Sequence, residues 1–519
     1  MPAFDSLSRL LGLLAAILGT YGASVYWRAG LSLSHYDAKA HLVVARRIFD
    51  SLTPSWEQIG AVWLPLPHIL NALPVQIDWM YRTGASAIAI SVASFAVTVA
   101  CVSAIVRTAN GNRAGAVLAA ALFALNPNVL YLQSTPMTEP LLFALSALVV
   151  LHLVEWVVSD QIRIRRAVGW TIVLACLTRY EAWPIVGAAM AIAAIAKWQR
   201  GPQSAGPLSP GPLTPGPQSP GAQKAQTAQT RPFAHDVVRE MARLAIYPAL
   251  TIVFFMGMSF ASTGAWFVTG GFYVPDPKLQ GQAAAVWEAI REGVVSLAGP
   301  TFVDAGEVAA ALLLLLAVTR RKWAVMMMPI ALLAAIALPF YAFYSGHPFR
   351  IRYEVPLILG AAACIGTAVS MLRFAAPLLA VPLLLLVVGE APAFDRNAPM
   401  IVEAQLDRDH GIGRRAVTAC LQQQYDGTTI MASMGSLAHY MQELSNAGFD
   451  LADFLHEGSG PIWEQAYYYE PSLFAGWVLV EERAEGGDML YQKQQAWPGF
   501  LAAYDRVCEG GNVALYRRK

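Results

Sequence analysis

Charge is scarce in this chain. Asp, Glu, Lys and Arg make up 14% of its 519 residues, where a soluble globular chain carries roughly 25%. An ordinary soluble enzyme is excluded on that ground. Net charge is scarce too, at +1, so no basic surface argues for a nucleic-acid partner. The five cysteines are too few and too scattered for a disulfide-stapled scaffold. Apolar residues are abundant, at 56%, which excludes a disordered chain.

Those apolar residues come in blocks. A hydrocarbon core of ~30 Å takes about 20 apolar residues per helix. Candidate spans lie near 7–27, 84–106, 113–130, 137–157, 168–178, 184–197, 243–268, 302–318, 323–344, 353–372 and 376–393. The predicted fold is a polytopic α-helical membrane protein of about eleven spans. The stretch 168–197 reads as two short helices broken at Thr178-Arg179-Tyr180-Glu181, with one long helix as the alternative. The first span reads as a retained helix, being too long for a removed signal peptide.

Basic residues orient the spans. Arg107 and Arg113, then Arg163, Arg165 and Arg166, then Lys197, Arg200, Lys224, Arg231, Arg239 and Arg243, then Arg320, Arg321 and Lys322, then Arg373 mark alternate loops. These loops are expected in the cytoplasm. The N-terminus is then cytoplasmic and the C-terminal domain extracytoplasmic.

Three segments stand apart from the spans of a membrane domain at 1–395. Residues 28–83 form a long outer loop, whose Trp56, Trp63, Pro65, Pro67, Pro74 and Trp79 suit short helices in the headgroup layer. Residues 201–242 hold a Pro/Gly-rich insert built on a five-residue repeat, GPQSA-GPLSP-GPLTP-GPQSP, which reads as a solvated linker. Residues 396–519 read as a small soluble α/β domain. From about residue 400 onward, 16 acidic and 9 basic residues give a net charge of −7. Strands are expected at 428–432, 477–480 and 513–516, and helices at 436–446 (N-cap Ser436) and 498–507. Cys420 and Cys508 can pair in an oxidising compartment or remain two buried thiols. His439, Tyr440, His456, Glu457 and Trp463 can line a site for an acceptor or partner, or simply pack.

Ionisable residues at membrane depth are expensive, so they mark candidate sites. Four outer-side motifs carry them. In Ser34–His41, Asp37 and His41 share a helix face. Asp37 suits a general base, half of a divalent-metal site with His41, or a stabilising first-turn residue. In Met137-Thr138-Glu139-Pro140-Leu141, Glu139 opens an apolar helix, as a site residue or an ordinary N-terminal acid. In Leu177–Pro184, Arg179 and Glu181 form a structural ion pair or bring Arg179 to an anionic substrate. In His347–Glu354, Arg350 and Arg352 beside Tyr353 suit a phosphate, with snorkelling to lipid headgroups as the alternative.

Taken together and in this order, Asp37 in a long first outer loop, MTEPL at 137–141, LTRYEAWP at 177–184 and FRIRYEVP at 349–356 resemble a known group. The chain is similar to the GT-C superfamily of integral-membrane glycosyltransferases, in the bacterial branch of protein O-mannosyltransferases and aminoarabinose transferases. The resemblance covers roughly residues 1–395 and leaves the tail out. It implies an outward-facing cavity, a polyprenyl-phosphate sugar donor, and inverting transfer of a hexose or pentose to a hydroxyl on a protein, lipid or glycan. Mannose is the sugar suggested by family frequency. It implies Asp37 as the base, Glu139 as a cavity-organising or acceptor-binding residue, and Arg350, Arg352 and Arg179 at the donor phosphate, with Glu181 and Tyr353 beside them. Many relatives carry two adjacent acids or Asp-x-Asp at the first site. Here the sequence is Asp37-Ala38-Lys39, which leaves metal dependence open. A secondary transporter or lipid flippase is the competing class.

Overall fold

The computed structural model describes residues 4–201, 220–267, 274–483 and 487–519. The repeat at 201–220 therefore lies almost wholly outside the described residues. Among these residues, eight helices are long and apolar enough to cross a membrane: Ser6–Arg28, Ala85–Asn110, Glu139–Val158, Phe233–Thr263, Pro300–Thr319, Trp323–Tyr344, Ile351–Ser370 and Arg373–Glu390. The other three expected spans are also helical, as Arg113–Ala124, Arg166–Cys176 and Ala182–Arg200. The first two are too short to meet the length of a full span. The predicted break is present between the last two, at 177–181.

Local chemistry sets the helix ends. Asp5 accepts from Ser8 N at 2.8 Å and pairs with Arg107 at 2.8 Å. Asn126 accepts from the N–H groups of Asn128 and Val129, with Pro127 in the first turn of Pro127–Leu132. Gly115 and Gly366 face each other across two packed helices, where a Cβ on either would collide with the other backbone.

The two ends of the membrane body differ in character. Ser91 Oγ donates to Thr135 O at 3.0 Å, so Ala85–Asn110 and Glu139–Val158 start at the same end and finish together. At their finish, Asn112 bonds Arg373 O at 2.9 Å, Lys197 bonds Ser159 O at 2.5 Å, and Ile164 N bonds Glu240 at 3.2 Å. Basic loops thus gather at one end. The four candidate motifs open helices or breaks at the other.

At that second end sits a five-stranded sheet, ordered β2-β1-β3-β5-β4. The strands are β1 (Ile430–Ala432), β2 (Phe454–Leu455), β3 (Trp477–Glu481), β4 (Tyr504–Gly510) and β5 (Val513–Arg518). β1 runs parallel to β2 and β3, and β5 runs antiparallel to β3 and β4. The period-2 alternation sorts the two faces. Ile430, Ala432, Trp477, Leu479, Val513 and Leu515 share a core with Leu42, Val43, Val75 and Tyr81 of the outer loop. Met431, Val478, Val480, Ala514 and Tyr516 pack on the opposite face with Leu455, Trp463 and Phe500. The sheet domain and the outer loop therefore fold around common apolar residues.

Two helix expectations for this domain need correction. The segment 498–507 is not a helix: the helix is Met489–Ala496, capped by Asp488, and β4 follows. The preceding helix is Met434–Leu444, with Ser433 rather than Ser436 as N-cap. Its first N–H bonds the Glu457 carboxylate at 2.7 Å, a cap supplied from elsewhere in the chain. Cys420 and Cys508 form a disulfide, Cα atoms 6.6 Å apart. His439, Tyr440, His456 and Trp463 are buried. The outer loop does form short helices, with Trp56, Leu73, Ile77 and Trp79 exposed.

Candidate active site

The first outer helix, Tyr36–Arg46, carries Asp37 in its opening turn. His35 is its N-cap, with Nδ1 accepting from Asp37 N at 3.1 Å. Asp37 and Arg352 are both buried, and the Asp37 carboxylate accepts from Arg352 Nη1. The first and fourth motifs thus meet. The guanidinium lies 5.5 Å from the Tyr353 ring centroid and also feels Tyr36 and Glu403.

A second cluster joins the second and third motifs. Arg179 Nη1 stands 3.0 Å from Glu139, and Arg179 bonds Glu181 at 2.7 and 3.0 Å and Thr138 Oγ1 at 3.0 Å. Glu139 and Glu181 are at most 1% exposed. The Glu139 contact is one of charge, since neither of its oxygens has an aligned hydrogen bond. The ion pair that was one alternative for Arg179 is present, with two carboxylates.

His41 takes a different direction. Its Nδ1 is 3.1 Å from His68 Nε2, and His68 Nδ1 is 3.2 Å from Leu64 O. His68 therefore carries its proton on Nδ1 and accepts from His41. Burial drives both imidazoles well below their ordinary value, His68 to about 3 with help from Arg47. Trp63 packs 4.2 Å from the His41 ring. Asp37 and His41 thus hold separate partners, and among the described residues no three His, Cys, Asp or Glu side chains gather as metal ligands. No step below is routed through a metal.

Three further residues were not singled out from sequence. His35 is wholly buried, 3.9 Å from Glu403, and burial with Arg352 and Arg350 nearby keeps it neutral. Burial raises Glu403 above the usual carboxylate range despite the same two arginines. Glu403 ends the short helix Pro399–Glu403, anchored where Met400 N bonds Asn128 Oδ1 at 3.0 Å. Glu354 is fully buried beside Tyr353. It stood within a motif, and its apolar neighbours were the available signal. Nothing local marked Glu403.

The described residues thus form a many-helix membrane body with a small α/β sheet at the end bearing the buried charges. ArnT from Cupriavidus metallidurans, in a crystal structure bound to undecaprenyl phosphate, is similar to it: TM-score 0.56 at 11% identity, covering 96% of this chain and 97% of that one. At that identity the likeness carries the fold. No protein-family model matches the chain, and no curated protein matches it.

Proposed function

We propose that the protein is an inverting glycosyltransferase that moves a sugar from a polyprenyl-phosphate donor to an acceptor hydroxyl. The observation that carries this is the convergence of Asp37, Arg352, Tyr353, Arg179, Glu139 and Glu181, from four distant segments, at one end of the membrane body. The ArnT-like fold supports a lipid-phosphate partner. The reading divides the chain into a membrane domain, 1–395, and a soluble domain, 396–519. It places the basic-loop end in the cytoplasm and the site outside, at a bacterial inner membrane. The Cys420–Cys508 disulfide supports an oxidising compartment for the sheet domain.

In this mechanism the donor phosphate draws Arg352 away from Asp37, with Arg350 and Arg179 adding positive charge. The freed carboxylate takes the proton of the acceptor O–H. The acceptor oxygen bonds the anomeric carbon from the face opposite the phosphate. The carbon–oxygen bond to phosphate breaks, and its electron pair leaves with the polyprenyl phosphate onto the guanidinium groups. Glu139 and Glu181 hold Arg179 in place and stand ready for acceptor hydroxyls.

The test is transfer of radiolabelled sugar from polyprenyl-phosphate donors, mannosyl donors first, in proteoliposomes. Transfer by the native chain and transfer slower by about 10²-fold or more in Asp37→Asn supports the reading. Full activity in Asp37→Asn removes the base assignment. Movement of lipid across the bilayer without any transfer favours the flippase class.

A further inference from the structure

We propose that Lys39 and Glu443, braced by Arg414, position the Asp37 helix, so that the soluble domain is a working part of the active site. This rests on Asp37 being the base. Asp37 and Lys39 are two residues apart on one helix, hence roughly 200° around its axis. Asp37 points to Arg352 of the membrane body. Lys39 points the other way, with Nζ 2.5 Å from Glu443 Oε1 of the helix Met434–Leu444. The Asp37 helix is thus gripped by an ion pair on each side.

The grip on the soluble side is stiff. Arg414 bonds both oxygens of Glu443 at 2.9 and 3.0 Å and both oxygens of Asp407 at 2.6 and 2.9 Å. Its side chain is 2% exposed. Arg414 sits on the helix Arg408–Gln424, which the Cys420–Cys508 disulfide ties to β4. Burial would raise Glu443, but Arg414 and Lys39 outweigh it and hold the carboxylate ionised. When Arg352 turns to a phosphate, the membrane-side grip on Asp37 is released. The Lys39–Glu443 pair then keeps the helix from rotating or withdrawing.

Docking of the domain does not depend on Lys39. Arg46 meets Asp450 at 3.4 Å, Gln58 bonds Gly458 O at 2.8 Å, Gln442 bonds Tyr81 O at 3.2 Å, and the apolar core is shared. Removing the Lys39 charge therefore leaves the two parts together and isolates the effect on position.

The experiment uses the full chain with Lys39→Met and Lys39→Arg. Lys39→Met is expected to lower kcat for sugar transfer by about ten- to a hundred-fold with donor KM unchanged, as a small misplacement of a reacting group does. Lys39→Arg restores most of it. A kcat equal to the native value in Lys39→Met overturns the proposal. A second readout is independent of transfer: the rate of carbodiimide labelling of Asp37, followed by mass spectrometry against exposed Glu470. A several-fold change at Asp37 alone supports positioning, and an unchanged rate overturns it. If the native chain transfers no sugar, the proposed function fails while the labelling still judges the Lys39–Glu443 link.

Discussion

Asp37 and Arg352, 315 residues apart in the chain, meet as a buried ion pair. A carboxylate held by a guanidinium is a poor base, and an arginine held by a carboxylate is a poor phosphate site. The pair resolves both at once when a phosphate competes for Arg352. Asp37→Asn is expected to lower kcat by about 10²–10⁴-fold while leaving donor affinity within a few-fold. Arg352→Ala is expected to weaken donor binding, as Arg350→Ala does. Unchanged donor affinity in both arginine variants, measured by binding of labelled polyprenyl phosphate, would sink the phosphate role.

Arg179 serves two carboxylates with one guanidinium. Removing it strands Glu139 and Glu181 at buried positions, which costs about 3–5 kcal/mol when a buried pair is broken from one side. Arg179→Ala should therefore lower the unfolding midpoint in detergent sharply, and Glu139→Gln in the same background should recover part of it. A midpoint equal to the native one in Arg179→Ala would show that the cluster does not need its cation.

What the sequence revealed follows from how rare charge is in it. Asp37, Glu139, Arg179 and Arg352 stand out because an ionisable residue beside an apolar run is costly, and they meet as two buried pairs. Glu403 did not stand out, since it sits in an acidic tail where another Glu carries no information. The secondary structure of the sheet domain went astray where non-local chemistry decided it. Glu457 caps the helix that Ser436 was expected to start, and Ser436 instead pairs with Glu481. Pro498 is compatible with the start of a helix or the residues just past its end, and the Asp488 cap selects the second.

The Cys420–Cys508 link spans a sequence separation of 88. Closing a loop of that length removes unfolded-state entropy worth about 4.6 kcal/mol. Cys420→Ser/Cys508→Ser is expected to lower the unfolding midpoint of the full chain and to raise proteolysis between β3 and β5. The other three described cysteines, Cys101, Cys176 and Cys364, are buried and free. A reductant should therefore act through this bond alone, and a midpoint indifferent to reductant would show that the bond adds nothing.

Buried histidines at the junction between the outer loop and the sheet domain should make it acid-sensitive before Asp407 and Glu443 are protonated. His68 is pushed down to about 3 by burial and Arg47, His439 to about 4 by burial and Arg414, and His456 to about 3 by burial and Arg47. Each is neutral when folded, and each titrates near 6.5 once unfolded. The unfolded chain thus binds more protons between those values, so stability is full above about pH 6.5 and falls as pH drops toward the folded values. For His439 alone the loss approaches about 3 kcal/mol by pH 4. Asp407 and Glu443 are shifted in the same direction from a lower starting value: burial opposes the shift, yet Arg414 holds both below the usual carboxylate range. Their contribution is present above about pH 4 and is lost only below it. Between pH 6.5 and 4.5 these histidines work against Asp488, which burial raises to about 7, and Glu403, which burial also raises; both bind protons first in the folded state and offset part of the loss. His439→Gln removes one of the imidazoles, and its unfolding midpoint should fall less across the window than that of the native chain. A pH profile of the midpoint unchanged by His439→Gln would mean that this imidazole is not buried neutral in the folded protein.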